Sequence, residues 1–327
     1  MQAKAEPSVL ESAPALPFAA LVLGALAMAI SPTFVRLAEV GPFASAFWRA
    51  AGALPLLWLW AAYEARSAGE PLRTTFSIDT PIVIAGLAFA GDLLFWHLAI
   101  LHTTVANATF LANLAPVWVA LGSGWLIGEA VGRRTAWGLL ICVAGIIVLV
   151  GTSYSFAPER LLGDACGVVT SLFFGIYFLA VRRGRRASTG AGRTVFLTAL
   201  ITSLALLIVA LLFEDRMLPD TPGGAAALAG LALVSHAGGQ GFLIYALGHL
   251  PAAFSSLVIF IEAPSAALFG WIFLGEPMTL LQIAGGALIL LGIAAARPER
   301  AKPAPSPAMI PPSSETKRTI PAAQKRR

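Results

Sequence analysis

The chain has 327 residues, of which 57% are hydrophobic and only 12% are charged. Soluble domains carry about 25% charged residues, so this composition excludes a water-soluble globule, a disordered protein and a nucleic-acid-binding protein. Two cysteines in apolar runs, Cys142 and Cys166, are too few for a disulfide framework. The net charge of +5 comes mostly from loops and a tail, where it affects membrane orientation more than ligand choice. The sequence therefore predicts an integral membrane protein.

Apolar segments long enough to cross a bilayer follow one another along most of the chain. A membrane-spanning helix needs about 20 residues, and ten such segments are predicted: 17–38, 43–63, 79–101, 104–127, 134–152, 161–181, 194–213, 224–247, 251–274 and 278–296. The alternating pattern of a β-barrel is absent, and backbone groups in lipid must be satisfied internally, so the segments are predicted to be helices. Joints as short as His102-Thr103 and Leu250-Pro251 require antiparallel neighbours. The predicted fold class is an all-α integral membrane protein.

The two ends of the chain differ from its apolar body. Residues 1–16 carry Lys4 against Glu6 and Glu11 and precede a long apolar run, so we expect a cytoplasmic segment and not a cleavable signal peptide. Residues 297–327 are rich in proline and basic residues and are predicted to form a disordered cytoplasmic tail.

Lysine and arginine set the predicted orientation. With the N-terminus inside, the inner segments hold 18 of these residues and the outer segments hold three. The positive-inside rule then places both termini in the cytoplasm. The alanine-rich and arginine-rich composition indicates a bacterial plasma (inner) membrane.

An internal repeat relates the two halves of the chain. Gly128-Glu129, Gly138 and Gly145 recur 147 residues later as Gly275-Glu276, Gly285 and Gly292, and Ala115-Pro116 recurs at an offset of 148 as Ala263-Pro264. The repeat defines two units, residues 17–152 and 153–296. Because each unit holds five helices, an odd number, the second must enter the membrane from the opposite side. Inverted repeats of this kind are typical of secondary transporters, whose central cavity lies between the halves.

Two structural roles follow from the repeat. The glycines spaced by seven are predicted to let the fifth and tenth helices pack closely. Glu129 and Glu276 lie in short loops at helix starts, on opposite sides of the membrane, and are predicted to cap those same two helices.

The run from His102 to Ala108, followed by Ala115-Pro116-Val117 and by Gly128-Glu129, resembles the repeat unit of the drug/metabolite transporter superfamily. The second copy is similar to it as well, and Trp48-Arg49 fits the same pattern. The resemblance covers residues 17–296 and extends to the EamA-type ten-helix exporters, with the YddG-type aromatic and neutral amino-acid exporters as the nearest likeness. It implies a secondary transporter that exports small metabolites without ATP; no nucleotide-binding glycine loop is present, and no cofactor is expected.

Polar groups at bilayer depth are costly, so each is a candidate for substrate binding. Together with aromatic residues suited to an apolar pocket, they give ten candidate cavity residues: Arg49, Asp92, Phe95, Trp96, Asn107, Tyr177, His236, Gln240, Tyr245 and Glu262. Three prolines, Pro32, Pro116 and Pro264, lie in mid-span and are predicted to bend their helices. Gating hinges and fixed curvature are both open interpretations of these bends.

The roles of the polar candidates have alternatives. Asp92 shares a helix face with Trp96, and it either faces a substrate amine or forms a structural salt bridge with Arg49. His236 and Gln240 are one turn apart and either line the cavity or form interhelical hydrogen bonds. Glu262 either carries a proton or hydrogen-bonds within the protein close to a proline.

Other classes of function are disfavoured. Ser123 lacks the glycine of a rhomboid-like nucleophile motif and the four histidines lack zinc-site spacing, so no catalytic residue and no metal site are predicted. Filter-like loops and rings of charge, typical of channels, are also absent from the sequence. A cavity with few charges and several aromatic residues suits amino acids, and an apolar pocket selects loosely among their side chains. We therefore expect amino-acid export, with another small metabolite or a drug as the alternative. The expected partners are the substrate and the lipid bilayer; driving force and oligomeric state are left open.

Overall fold

The structure is a computed structural model that describes residues 15–103, 105–151, 158–187, 190–274 and 279–296. Throughout these residues the regular structure is helical, without β-strands. Within the described ranges, seven helical segments are long and apolar enough to cross a membrane. The other three predicted spans, the second, fifth and tenth, are also helical. The predicted all-α, ten-helix fold class is confirmed. The tail, most of the N-terminal segment and Glu276 lie outside the described residues.

The first five spans follow the predicted order, and three of them are interrupted by short breaks. They comprise Ala15–Ala29 with Ser31–Leu37, Pro42–Ala51 with Leu54–Ser67, Thr80–His102, Val105–Ala112 with Ala115–Ile127, and Arg133–Gly151. The second span is also divided, at residues 52–53. Gly128, with a φ of 65°, ends the fourth span in the left-handed conformation that glycine adopts without strain.

The second five spans repeat this plan. The sixth, seventh and tenth spans are the single helices Leu161–Arg186, Ala191–Phe213 and Leu280–Ala296. The eighth span consists of Pro222–Gly230, a π-helix over Leu231–Gln240, and Gly241–Leu247. The ninth span consists of Ala252–Val258, a 3₁₀ turn over Ile259–Ile261, and Glu262–Leu274. The π-helix in the eighth span was not predicted. Such segments occur frequently at functional sites because they displace side chains from the regular helical positions.

Joints between spans alternate between two ends of the bundle. At one end, Glu64 accepts hydrogen bonds from the start of the seventh span, and Arg182 reaches both Glu129 and the carbonyl of Leu247. We call this the arginine end, because it carries the arginines of the sixth and seventh spans. The connections between spans at this end lie within residues 64–81, 127–133, 182–193 and 247–252. At the other end, here the opposite end, Glu39 contacts Thr221. This alternation is what an antiparallel bundle requires.

The packing of the spans follows a pseudo-two-fold symmetry. The third span packs against the sixth, and the eighth packs against the first; the second packs against the seventh and the fifth against the tenth. Shifting each number by five spans converts this set of contacts into itself. The two halves are therefore interlocked copies of one unit and not two separate bundles.

The fifth and tenth spans cross at the symmetry axis. Cys142 Sγ donates to the carbonyl of Ile289 at 3.4 Å, and these residues differ by the repeat offset of 147. A Cβ added to Gly145 would lie 2.9 Å from the carbonyl oxygen of Gly285, and one added to Gly138 would lie 2.6 Å from that of Gly292. The glycines therefore allow close packing within one chain, as predicted.

Each of the three mid-span prolines lies in the first turn of a new helical segment. Pro32 is the second residue of Ser31–Leu37, Pro116 is the second of Ala115–Ile127, and Pro264 is the third of Glu262–Leu274. Proline is tolerated there because the first-turn N–H groups have no partner within the helix. The breaks bring irregular backbone to the middle of the bundle.

Glu129 does not cap the fifth helix, which was the prediction. Its carboxylate accepts a hydrogen bond from the backbone N–H of Ala252 at 2.9 Å, at the start of the ninth span, and pairs with Arg182 Nε at 2.6 Å. Because Gly128 turns the chain away from the fourth helix, the following carboxylate reaches the other half of the molecule. The prediction failed because the partner is remote in sequence.

The outer surface is apolar. Trp125 is 87% exposed, Leu212 71% and Trp137 61%, whereas Asp92, His236 and Gln240 are buried inside. A protein whose spans face lipid is expected to show this arrangement, because lipid tails do not exclude apolar side chains as water does.

Candidate transport cavity

A cavity with an empty volume of about 980 Å³, its opening included, lies where the two halves meet. Its walls come from the first four spans and from the sixth, eighth and ninth spans. Its polar lining residues are Ser31, Arg49, Asp92, Asn113, Thr170, Gln240, Ser256 and Glu262, and its aromatic lining residues are Phe89, Trp96, Phe174, Phe178 and Phe260. Both repeats thus contribute charged, polar and aromatic groups to one site.

Three charged side chains line the cavity. Arg49 comes from the second span, Asp92 from the third and Glu262 from the ninth. No ion pair within 4.0 Å joins these groups in the described part of the chain, so the structural Arg49–Asp92 salt bridge that the sequence left open is not formed here.

Arg49 is held instead against an aromatic ring. Its guanidinium carbon lies 5.9 Å from the centroid of the Phe89 ring, a distance at which the ring face attracts a cation. Its Nε is buried without a hydrogen-bond partner. Because Arg49 lines the cavity and forms no ion pair with the acids there, its guanidinium is suited to bind a carboxylate from the cavity.

Gln240 lies at the end of the π-helix and is anchored by the sixth span. Tyr177 Oη donates a hydrogen bond to Gln240 Oε1 at 2.6 Å, and Gln240 Nε2 lies 3.2 Å from Met28 Sδ. His236, one turn earlier, lies with its ring 5.6 Å from Phe89 and leaves Nδ1 buried without a partner. Tyr177 and His236 thus form a layer behind the cavity wall.

Of the ten candidate residues, five line the cavity: Arg49, Asp92, Trp96, Gln240 and Glu262. Among the bend candidates, Pro32 and Pro116 also line it. Asn107 belongs to the helix Val105–Ala112, but its side chain lies outside the described part of the structure.

Four candidates lie elsewhere. Phe95 turns away from the face of Asp92 and stacks on Phe173, with ring centroids 5.6 Å apart. Tyr245 lies near the arginine end, 4.7 Å from the ring of His249. Tyr177 and His236, as described above, are buried behind the wall. The helical periodicity of the sequence could not distinguish these positions from cavity-lining ones, because helices in lipid carry aromatic residues on every face.

Of the aromatic residues that line the cavity, which we call the aromatic wall, only Trp96 was predicted from the sequence. Phe89 lies on the same helix face as Asp92 and Trp96, because the three residues are spaced by three and four positions. This spacing could have predicted Phe89 as a cavity-lining residue. Phe174 and Phe178 are one turn apart on the sixth span, but nothing in the sequence marks their face as interior. Ser31, beside Pro32, is buried with its hydroxyl unpartnered and is a further lining residue.

The fold and the cavity together define a multi-pass membrane carrier with a binding site at the interface of inverted repeats. The sequence profile of the EamA-like transporter family matches residues 16–151 and again residues 161–296. The chain belongs to the EamA-like transporter family, within the drug/metabolite transporter superfamily. It is therefore a multi-pass membrane transporter.

Curated relatives agree with this assignment. The chain is 28% identical over 210 residues to the pseudopaline exporter CntI of Pseudomonas aeruginosa. The aligned region covers 64% of this chain and 72% of the relative. It is 29% identical over 143 residues to the aromatic amino acid exporter YddG of Ancylobacter novellus, covering 42% and 49% of the two chains. A solved crystal structure matches 86% of this chain and 95% of its own, with a TM-score of 0.70 and 20% identity, and supports the fold.

Proposed function

We propose that this protein exports amino acids across the bacterial plasma membrane by alternating access. The observation that carries the proposal is the cavity between the repeats, which presents one guanidinium, two carboxylates and five aromatic rings. An amino acid carries one carboxylate, one ammonium group and a side chain, and each part finds a complementary group in this lining. Both termini are proposed to be cytoplasmic, because the arginine end then faces inward.

The charged groups divide the binding task. Arg49, which lines the cavity without an ion-pair partner among the described residues, binds the substrate carboxylate. Asp92 and Glu262, which enter from two other spans, receive the ammonium group. A charged hydrogen bond in a site shielded from water is stronger than a neutral one, so these three residues provide most of the affinity.

The aromatic wall accommodates the side chain. Trp96, Phe174 and Phe260 enclose the apolar part of the cavity. Since an apolar pocket discriminates weakly between side chains that differ by a methylene group, we expect aromatic, hydrophobic and small neutral amino acids all to be transported.

Another small metabolite is the second candidate. The match to the pseudopaline exporter spans 210 residues, whereas the match to the aromatic amino acid exporter spans 143. A larger solute with several carboxylate and amine groups would use the same charges. Absence of counterflow for every amino acid in the experiment below would favour this second candidate.

The test is counterflow in proteoliposomes that contain the purified full-length protein. Liposomes preloaded with unlabelled phenylalanine are expected to accumulate labelled phenylalanine transiently and saturably, with alanine and leucine competing. Arg49→Lys, which keeps the charge but loses the planar two-donor geometry, is expected to lower kcat/KM for phenylalanine roughly tenfold or more. Arg216→Lys, an exposed arginine paired with Asp220, is the matched control. Absence of counterflow for every amino acid in the panel would refute the proposal.

A further inference from the structure

Tyr177 is buried but does not line the cavity. It is 1% exposed, and its ring is held between Phe89 and Phe174, at centroid distances of 5.0 and 5.9 Å. Its hydroxyl donates to Gln240 Oε1 at 2.6 Å. A side chain held this firmly fixes the position of the hydrogen-bonded amide oxygen.

The hydrogen bond from Tyr177 also decides which way the Gln240 amide faces. Since the amide oxygen is turned to the tyrosine, the NH₂ group is turned to Met28, whose Sδ lies 3.2 Å from Nε2 and which itself lines the cavity. A thioether is a weak acceptor, and an amide NH₂ has two donor hydrogens. Among the described residues no second acceptor contacts this NH₂ group, and Gln240 lines the cavity.

Gln240 and Arg49 are related through a shared aromatic ring. The Phe89 ring lies 5.9 Å from the Arg49 guanidinium and 5.0 Å from the ring of Tyr177, which in turn holds Gln240. Arg49 belongs to the first repeat and Gln240 ends the π-helix of the second. Two groups that donate hydrogen bonds, one charged and one neutral, are thus placed around the same wall of the cavity.

We propose that Gln240 and Arg49 together form a carboxylate-binding subsite, and that Tyr177 is a positioning residue that keeps the Gln240 NH₂ group turned toward the substrate. The proposal rests on the proposed amino-acid function and adds which groups recognise the carboxylate. Without the tyrosine hydroxyl, the amide rotates freely and presents its oxygen to the substrate part of the time, which repels a carboxylate.

The subsite predicts a specific change in substrate preference. Tyr177→Phe keeps the ring between Phe89 and Phe174 and removes only the hydroxyl. We expect the KM for phenylalanine counterflow to rise roughly fivefold to tenfold, the effect of about one hydrogen bond, with kcat unchanged. Inhibition by phenylalaninamide, which has the same ring and ammonium group but no carboxylate, should be unchanged. Tyr63→Phe, at a tyrosine that is 71% exposed, is the control.

A second variant keeps the test decisive if Tyr177→Phe is poorly folded. Gln240→Glu puts a negative charge where the NH₂ group lies, so it should weaken phenylalanine and strengthen phenylalaninamide. An increase in the ratio of phenylalanine KM to phenylalaninamide inhibition constant in either variant supports the subsite. An unchanged ratio overturns it. If wild-type protein shows no amino-acid counterflow, the proposed function fails and not the subsite alone, so the two failures are distinguishable.

Discussion

At the level of single residues, the cavity lining holds more acid than base: Asp92 and Glu262 stand against Arg49. An ionised carboxylate without a counter-charge is costly in a site shielded from water. The other titratable groups close by, His97, His236 and Tyr177, are buried without lining the cavity. We therefore expect one of the two carboxyl groups to bind a proton whenever no substrate ammonium group occupies the site.

This charge balance predicts that transport responds to a proton gradient through Glu262. In wild-type proteoliposomes, a pH gradient that drives protons in the direction opposite to phenylalanine movement should accelerate phenylalanine flux. Glu262→Gln should raise the KM for phenylalanine, because one partner of the substrate ammonium group is lost, but counterflow without a gradient should persist at saturating phenylalanine. The acceleration should be lost, because the variant cannot exchange a proton. Glu70→Gln, at an exposed position, controls for the loss of a carboxyl group. An equal response of Glu262→Gln and wild-type protein would exclude this role.

The charged residues of the cavity lining were all predicted, whereas of the uncharged lining residues only Trp96 and Gln240 were predicted as substrate-cavity residues. Arg49, Asp92 and Glu262 stood out because ionisable groups are rare at bilayer depth, and the structure places all three in one lining. Tyr177 was predicted to line the cavity but lies behind it, since a polar aromatic residue serves equally in the wall or in the layer that supports it. The position of Tyr177 behind the cavity wall depends on its contact with Gln240 of the eighth span, and no local sequence pattern predicts a contact with a remote span.

At the level of helices, the starts of several spans are capped by acids from the other half. Glu64 accepts from the backbone N–H groups of Ala191 and Gly192 at 2.9 Å, and Glu214 accepts from that of Phe43 at 2.7 Å. The second and seventh spans thus cap each other at opposite ends of the bundle. A negative group near a helix start is favourable, and here it also ties the two repeats together.

The Glu129 contacts predict control of access at the arginine end. Arg182 and the N–H of Ala252 both bind this carboxylate, so it joins the fourth, sixth and ninth spans. Glu129→Gln removes the ion pair and should increase labelling of a cysteine at Ala112 by an impermeant thiol reagent added on the arginine side. Glu70→Gln is again the control. Labelling that does not change would show that these contacts do not hold the end closed.

The glycines of the fifth and tenth spans give a prediction about stability. A Cβ on Gly285 would lie 2.5 Å from the backbone nitrogen of Leu149, whereas one on Gly124 would meet no atom within 4 Å. Gly285→Ala should therefore lower the melting temperature of the detergent-solubilised protein by several degrees. Gly124→Ala should be neutral or slightly stabilising, because alanine favours a helix. Equal melting temperatures for the two variants would contradict the packing.

Helix number and antiparallel order were predictable from length and apolarity, whereas helix interruptions were only partly predictable. Prolines marked the breaks at Pro32, Pro116 and Pro264, since proline removes a backbone donor wherever it occurs. The π-helix over Leu231–Gln240 has no such marker. It depends on how the eighth span packs against the first and second spans, which a single sequence does not show.

At the level of the whole molecule, the repeat explains both the interlocked fold and the place of the cavity. Both halves contribute spans to the cavity lining, so a rocking motion of one half against the other changes access to the same residues. The glycines spaced by seven predicted close packing of the fifth and tenth spans, and the contact between Cys142 and Ile289 shows these two spans packed against each other. The pairing of the third span with the sixth was not predictable, because the offset relates equivalent residues and not neighbours.

The most direct test of the account is whether the cavity is reached from both sides of the membrane in turn. A cysteine at Ala266, a lining residue, is introduced after Cys142 and Cys166 are replaced by serine, and proteoliposomes of defined orientation are treated with an impermeant thiol reagent from one side or the other. We predict labelling from either side, with saturating phenylalanine slowing it from both. Labelling from one side alone, or at a rate that phenylalanine does not alter, would contradict a substrate cavity with alternating access.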